Sequence, residues 1–541
     1  MKIKIADDKL TSLLKDNYLS EYDLSTAAKV ARDRGVTLAE YLLAENLLSK
    51  DLLGQAIAEY YKVPYADLNT NIPRVEQLMR IPEDLARRFR VVLFEDSGDK
   101  IVVATDRPDA ADLIMSLTKI FPAKKITIAF AMPDDVENAL LVYRRPLSER
   151  LARLIKAGEH VGPIVISEVL KEAIDLGASD IHFEPRGEIV VLRLRVDGVL
   201  REVGSLPKKP YEDVVNRIKV AARLRIDEHQ AIQDGAMRLS RGGGSYDLRV
   251  SIAPTVEGEK VVMRVLSQYT QKFSLTNLGM PESRQKLLLD AAGKPFGMIL
   301  VAGPTGAGKT TTLYALVKLL NREEANISTI EDPVEYKITG VNHIQVNSAA
   351  GLTFATGLRS IMRQDPDIIL VGEIRDEETA QISVNAALTG HLLLSTVHAN
   401  DAATAIPRLL DMKTEPFLLS STLELIIAQR LLRTICDRCR YSYVASDKRF
   451  GLPNNLYKGK GCEACGGSGY RGRTAAFELI VATPELKKIM LNNPSTSDIW
   501  KLARSQGAIS MFEDGLEKVA AGLTTLEELL RVAAPPSGGG K

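Results

Sequence analysis

Four cysteines in 541 residues leave no room for a disulfide framework. Long apolar runs are also missing. The most apolar stretches, such as 297–302 and 368–371, fall far short of the roughly 20 residues that span a bilayer. Nor is there an excess of charge of one sign. Lys plus Arg number 70 and Asp plus Glu 69, a formal net charge of +1. That balance gives the chain no overall attraction to nucleic acid or to an anionic membrane, so any such partner must be met by a local patch. The start, Met1 to Asp8, carries charge but no apolar run behind it, which argues against a secretory signal. The expectation is a cytoplasmic protein that reaches a membrane only through partners. Hydrophobic residues at 45% and charged residues at 26% are ordinary globular proportions. At about 150 residues per domain, the length predicts three to four domains.

The few cysteines are placed tellingly. They form two C-x-x-C pairs, Cys436/Cys439 and Cys462/Cys465, separated by 22 residues. In a reducing compartment this spacing predicts a tetrahedral Zn2+ site, the alternative being four free thiols. Four thiolates would close the coordination sphere, so the ion would be structural. Between residues 430 and 473 there are ten basic and three acidic residues, a local net of +7, interleaved with Tyr441, Tyr443, Phe450, Tyr457 and Tyr470. Taken alone, such a patch fits nucleic acid.

Periodicity divides the rest. Residues 1 to about 70 carry helical stripes, with Asp8 and Ser49 as candidate caps. Short strands follow at 91–94, 101–104 and 126–130, and then a helix at about 134–142. This predicts an α+β domain over 1–145. A linker at 144–163 leads to a second α+β unit within 146–270, with a helix at 164–176, alternating strands and a glycine turn at 242–244. From 271 onward, apolar strands alternate with helices, the pattern of a parallel sheet covered on both faces. A helix over 417–432 is expected to lead into the cysteine module at 430–475. The end, 535–541, reads as a flexible tail or an expression scar.

Gly303-Pro304-Thr305-Gly306-Ala307-Gly308-Lys309-Thr310, followed by Thr311, matches G-x-x-x-x-G-K-[ST] between an apolar strand and a helix. Backbone amides of such a loop curl around phosphate oxygens, and the helix start adds its positive end. Lys309 is placed to reach the β- and γ-phosphates of a nucleotide, and the Thr310 hydroxyl to ligate Mg2+. Hydrolysis also needs carboxylates, and two acidic clusters sit at strand ends: Glu331 to Glu335, and Asp367 to Glu373. Both are expected to face the phosphates. His391 and His398 flank a buried-looking strand; His398, at its carboxyl end, could sense or donate to the γ-phosphate.

In this order the residues resemble the bacterial type II secretion and type IV pilus extension ATPases. The resemblance rests on Ala178 to Pro185, Arg195 to Arg201, the phosphate loop, Glu331 to Glu335, Leu358 to Asp367, the strand ending in Gly372-Glu373, Thr389 to His398 and the four cysteines. It is broad from about 150 to 530 and weaker before that. It implies a P-loop, RecA-like α/β core over 271–541, a PAS-like second domain, and a homo-hexamer with nucleotide between those two. It implies that Glu335 polarises the attacking water and that Glu373 supports the magnesium shell. It implies that Arg249, Arg264, Arg359 and Arg363 contact phosphates, some across a subunit boundary. The partners implied are an inner-membrane platform protein and the pilus or secretion machinery. With that family in view, the basic cysteine module becomes a docking surface for a membrane partner rather than for nucleic acid.

The chain also departs from the family. His229-Gln230-Ala231-Ile232 stands where arginines and a proline usually precede Gln233-Asp234-Gly235, so contacts made by those arginines are not expected here. The first domain resembles one that binds cyclic di-GMP in some relatives, but its usual Arg-Leu-Gly start is missing, and tight cyclic di-GMP binding is not expected. Pilus extension is the preferred role. A type II secretion motor, a DNA-translocating ATPase and a non-catalytic nucleotide-gated scaffold are the alternatives, the last opposed by the intact Lys309, Glu335 and Glu373.

Overall fold

The computed structural model describes residues 7–535, except 16–17, 34–36, 45–46, 72, 144–145, 158–161, 242–243, 267–273 and 446–449. Most of the predicted glycine turn, parts of the predicted linker and nearly all of the predicted tail therefore lie outside the described residues. Contacts divide the chain after Pro146 into one unit up to that residue and one from Leu147 onward. The loop 462–467 is counted with the first unit but is described below with the strands that flank it in sequence.

The first unit opens with short helices whose apolar stripes meet around Leu10, Leu14, Leu38, Leu42 and Leu53, all buried. Ser49 caps Lys50–Tyr61 by accepting the Leu52 amide. Asp8, expected as a cap, instead lies inside the helix Asp7–Leu14. Three strands follow, β1 (Val91–Asp96), β2 (Lys100–Thr105) and β3 (Lys125–Phe130), with β2 central, antiparallel to β1 and parallel to β3.

The second unit begins with helices Leu147–Ala157 and Gly162–Asp175 and a six-stranded antiparallel sheet. Its strands are β4 (Ala178–Arg186), β5 (Ile189–Val196), β6 (Val199–Pro207), β7 (Gln233–Arg241), β8 (Gly244–Thr255) and β9 (Gly258–Leu266), in the order β6-β5-β4-β9-β8-β7. Alternation sends Ile181, Phe183, Leu192, Val250, Ile252 and Met263 into a core with Val165, Val169 and Val214. The residues between them leave a polar face. There Arg195, Asp180, Arg264 and Arg249 stand in one register across four strands.

The remainder is built on a seven-stranded sheet: β10 (Gly297–Ala302), β11 (Ile327–Glu331), β12 (Val341–Gln345), β13 (Ile368–Ile374), β14 (Leu392–Val397), β15 (Leu423–Ile435) and β18 (Tyr470–Val481). Between the last two comes a hairpin, β16 (Arg440–Val444) and β17 (Asn455–Gly459). The order is β12-β11-β13-β14-β10-β15-β18, all parallel except the β15/β18 pair. β10 is buried at every residue, as a strand covered on both faces must be. Helix Lys309–Leu320 packs with one face and helices Phe354–Ile361, Glu377–Leu388 and Ala402–Asp411 with the other.

A second expectation also fails. The run 417–432 is not a long helix; the helix Pro416–Thr422 stops and Leu423 starts β15. Leu425 and Ile427 bury against one face of the sheet, Ile426 and Ala428 against the other. The unbroken apolar stretch Leu425 to Ala428 carries neither period clearly, and its place between β10 and β18 decides for the strand. Among the described residues, no helix is long and apolar enough to cross a membrane.

Candidate active site

The phosphate loop runs from the end of β10 into the helix Lys309–Leu320. Gly306 and Gly308 take φ of 78° and 87°, the left-handed region where a side chain costs most. A Cβ at Gly308 would also lie 3.0 Å from the Gln429 amide nitrogen. Gln429, on β15 and 1% exposed, straps the loop down. Its Nε2 donates to the Ala307 carbonyl at 2.7 Å, and its Oε1 accepts the Thr312 hydroxyl at 2.7 Å. The Lys309 ammonium folds back onto the loop, donating to the carbonyls of Gly303 at 2.9 Å and Pro304 at 3.1 Å. Burial pushes its pKa below the ordinary range, with Glu373 pulling the other way and Arg430 adding to the depression. Thr310 and Thr311 follow in the first turn of the helix.

Glu373 reaches this site through a break in β13. The β13/β14 register slips between Val371 and Ile374. The Val371 and Gly372 carbonyls accept the hydroxyls of Ser395 and Thr396 at 2.8 and 2.7 Å. A bulge of this kind re-aims a side chain. The Glu373 carboxylate pairs with Arg375 and, at 3.2 Å, with His398 Nε2 at the end of β14. Lys309, Glu373 and His398 are thus brought to the carboxyl ends of adjacent strands, where open α/β sheets hold ligands. Glycine loop, lysine, threonines and carboxylate fit the phosphates and magnesium of ATP. Bound there, the metal would screen phosphate charge.

Other expected residues fall elsewhere. Glu331, expected to face the phosphates with its cluster, is 2% exposed and points into the protein. It accepts from Tyr314 and Thr329 and meets His343 Nδ1 at 3.1 Å. As the last residue of an all-buried strand, its side chain is committed to a buried network rather than to a ligand. Glu335 is exposed on the loop between β11 and β12, and no ion pair among the described residues engages it. Arg359 pairs with Glu378 at 2.5 Å, and Arg363 donates to the Arg359 carbonyl at 2.8 Å, both at the end of helix Phe354–Ile361. Arg264 is held by Asp180 at 3.0 Å and stands opposite Arg249 on the polar face of the six-stranded sheet. His391 meets the Ala386 carbonyl at 2.8 Å, a local contact at the far end of β14 from His398. Gln429 and Arg375 have no local signature in the sequence; only strand pairing reveals them.

The four cysteines converge. Their sulfurs all lie within 4.8 Å of one another, and Cys436 and Cys465 are buried. The Cys462 and Cys465 Sγ atoms are 3.8 Å apart. A zinc–sulfur length of about 2.3 Å in a tetrahedron gives an edge of about 3.8 Å, so the set fits zinc. Each pair closes a tight turn, with the Cys439 amide donating to Cys436 and the Cys465 amide to Cys462, both at 3.2 Å. The module's tyrosines are met by its own cations: Arg440 lies 3.9 Å from the Tyr457 ring centre, Lys458 4.5 Å from Tyr443, and Lys460 5.2 Å from Tyr441.

Residues 156–531 match the model of the type II/IV secretion system protein family, and residues 61–148 match the MshEN domain. The chain is 38% identical over 526 residues to the type IV pilus assembly ATPase PilB of Thermus thermophilus, covering 92% of this chain but 59% of that protein. It is 36% identical over 557 residues to PilB of Myxococcus xanthus, covering 97% and 98%. It is 40% identical over 496 residues to type II secretion system protein E of Dickeya dadantii, covering 86% and 99%. Among solved structures, the Legionella pneumophila ATPase DotB matches 68% of this chain and 95% of its own with a TM-score of 0.53 at 22% identity, a likeness of fold.

Proposed function

We propose, from a chain that belongs to the type II/IV secretion system protein family, an ATPase motor that hydrolyses ATP with Mg2+ to drive type IV pilus extension. The observation that carries this reading is the meeting of Lys309, Glu373 and His398 beside a glycine loop whose amides curl at the start of a helix. Lys309 and the loop from Gly303 to Thr311 bind the phosphates. Thr310 and Glu373 hold the magnesium shell, and His398, through Glu373, registers what occupies it. Glu335, exposed on its loop, orients the attacking water. Arg249, Arg264, Arg359 and Arg363 complete the site across subunits of a homo-hexamer. The exposure of Arg359 and Arg363 at the end of one helix, and of Arg264 on the six-stranded sheet, supports that assignment.

A second reading, the type II secretion motor, is favoured by a relative of that name at 40% identity, covered over 99% of its length. The two share this chemistry and differ in the partner. We place the motor at the cytoplasmic face of the inner membrane, held by a platform protein. Zn2+ at Cys436, Cys439, Cys462 and Cys465 folds the docking module. In steady-state assays Lys309→Ala removes nucleotide binding, and Glu373→Gln binds without turnover. Full ATPase activity in either variant overturns the reading. Co-purification of a pilin-platform protein rather than a pseudopilin platform decides between pilus and secretion.

A further inference from the structure

Arg430 stands one residue beyond the strap residue Gln429, whose own backbone carbonyl lies within 2.9 Å of where a Gly303 Cβ would be. The β10/β15 register pairs Ala302 with Ala428, so Arg430 is level with the loop that follows β10. Alternation turns its side chain to the opposite face from Gln429, the face that carries helix Ala402–Asp411. There one guanidinium nitrogen donates to the Asn400 carbonyl at 3.2 Å, in the loop just past His398. The other terminal nitrogen, Nη1, is buried and has no hydrogen-bond partner among the described residues.

A buried guanidinium N–H without an acceptor is costly, and arginine is seldom left so unless something completes it. The neighbourhood says what. Arg430 is close enough to Lys309 to disfavour its charge, and Arg375 stands beyond, paired with Glu373. Against these stand Glu373, already engaged by Arg375 and His398, Asp332, whose charge acts on Arg375, and Asp401, whose Oδ1 accepts the Thr404 amide as a helix cap at 2.7 Å. Burial lowers the pKa of Arg430 itself, and only Asp401 opposes that. Where Lys309 and Arg430 come together the site thus holds two neighbouring cations and an unmet donor, the complement of a phosphoryl oxygen.

We infer that Arg430 is a nucleotide-binding residue that contacts the terminal phosphate of bound ATP from within its own subunit and carries its presence to the loop 398–401. The side matters: Arg430 lies toward Glu373 and His398, whereas the loop amides and Gln429 lie toward the helix Lys309–Leu320. A diphosphate, cradled by those amides, leaves Arg430 unmet; a triphosphate satisfies it and pulls on Asn400. The inference rests on the ATP-binding reading of this site.

The test is equilibrium binding of ADP and of the non-hydrolysable β,γ-imido analogue of ATP, each with magnesium, to the full chain. Arg430→Gln is expected to weaken the analogue about tenfold or more while changing ADP less than about threefold, since a charge-assisted bond is lost for one ligand only. Arg430→Lys, which keeps the charge, should recover part of the loss and serves if the glutamine variant folds poorly. A purely structural arginine would lower the melting temperature and weaken both nucleotides alike, and equal weakening, or none, overturns the assignment. Lys309→Ala separates the two levels. If it binds the analogue like the parent, the site reading itself fails. If it loses binding while Arg430→Gln keeps both nucleotides, only the role of Arg430 fails.

Discussion

Replacing Gln429 by leucine tests the claim that β15 sets the shape of the phosphate loop. The substitution keeps the volume of the side chain and removes both polar atoms. It strands the Ala307 carbonyl, in a residue only 4% exposed, and the Thr312 hydroxyl, in a residue 1% exposed. A buried polar group left unmet costs about 1–3 kcal/mol. Thr312 retains a long contact to the Gly308 carbonyl at 3.5 Å, so its share falls at the low end. Together the loss is about 2–4 kcal/mol. Trp500, the single tryptophan, packs against the core of the seven-stranded sheet and reports its unfolding by fluorescence in urea. The transition should move to lower urea by that amount. Nucleotide affinity should drop about tenfold, because binding must then order a loop that the parent holds ready. Gln429→Glu keeps the acceptor for Thr312 but sets a carboxylate against the Ala307 carbonyl, and should be no milder. An unfolding midpoint and an ATP affinity that both match the parent in Gln429→Leu would show that the strap does nothing and that the loop holds its own shape.

Glu478, buried on β18, accepts the amides of Ala402 at 2.8 Å and Met511 at 3.3 Å, yet burial raises its pKa to about 7. The folded state therefore binds a proton between pH 4.5 and 7 that the unfolded state has released, so stability falls as pH rises through that window, by about 3 kcal/mol in all. Urea titrations from pH 5 to 8 should show this slope in the parent and a flatter profile in Glu478→Gln; identical slopes would refute it. Glu528 behaves oppositely. Despite the opposing effect of burial, Arg531 and Arg433 hold its carboxyl down to about 2, so its contribution is present above pH 4.5 and fades toward pH 2; Glu528→Gln should lose stability at pH 7 and little at pH 2. A strong chelator should release one zinc per chain and unfold the module around the four cysteines, since such sites draw about 10–16 kcal/mol from the metal; Cys462→Ser should lower the zinc content likewise. Glu331→Gln should destabilise the core through its buried network and leave nucleotide affinity within about threefold, whereas a large affinity loss at unchanged stability would return Glu331 to the phosphate site.

Local rules made much of this chain legible in advance. Gly303 to Thr310 announces its strand, loop and helix because only glycine tolerates those turns, and a lysine opening a helix there has one common use. The apolar strands of the core announce a parallel sheet because both their faces are buried. Four cysteines at C-x-x-C spacing announce their own convergence. Other features depend on which strand lies beside which. Residues 423–432 read as the continuation of a helix, and only their place between β10 and β18 makes them a strand. Glu331 and Glu373 look alike at strand ends, but one turns inward to Tyr314 and the other is turned toward Lys309 by a bulge whose carbonyls Ser395 and Thr396 satisfy. Gln429 and Arg430, neighbours in a run of ordinary residues, become strap and unmet donor only because β15 lies more than a hundred residues down the chain yet next to β10 in the sheet. Backbone torsion and hydrophobic period act over a few residues and can be read along the chain. Which donor meets which acceptor across a sheet is settled by strand order, which no short stretch contains.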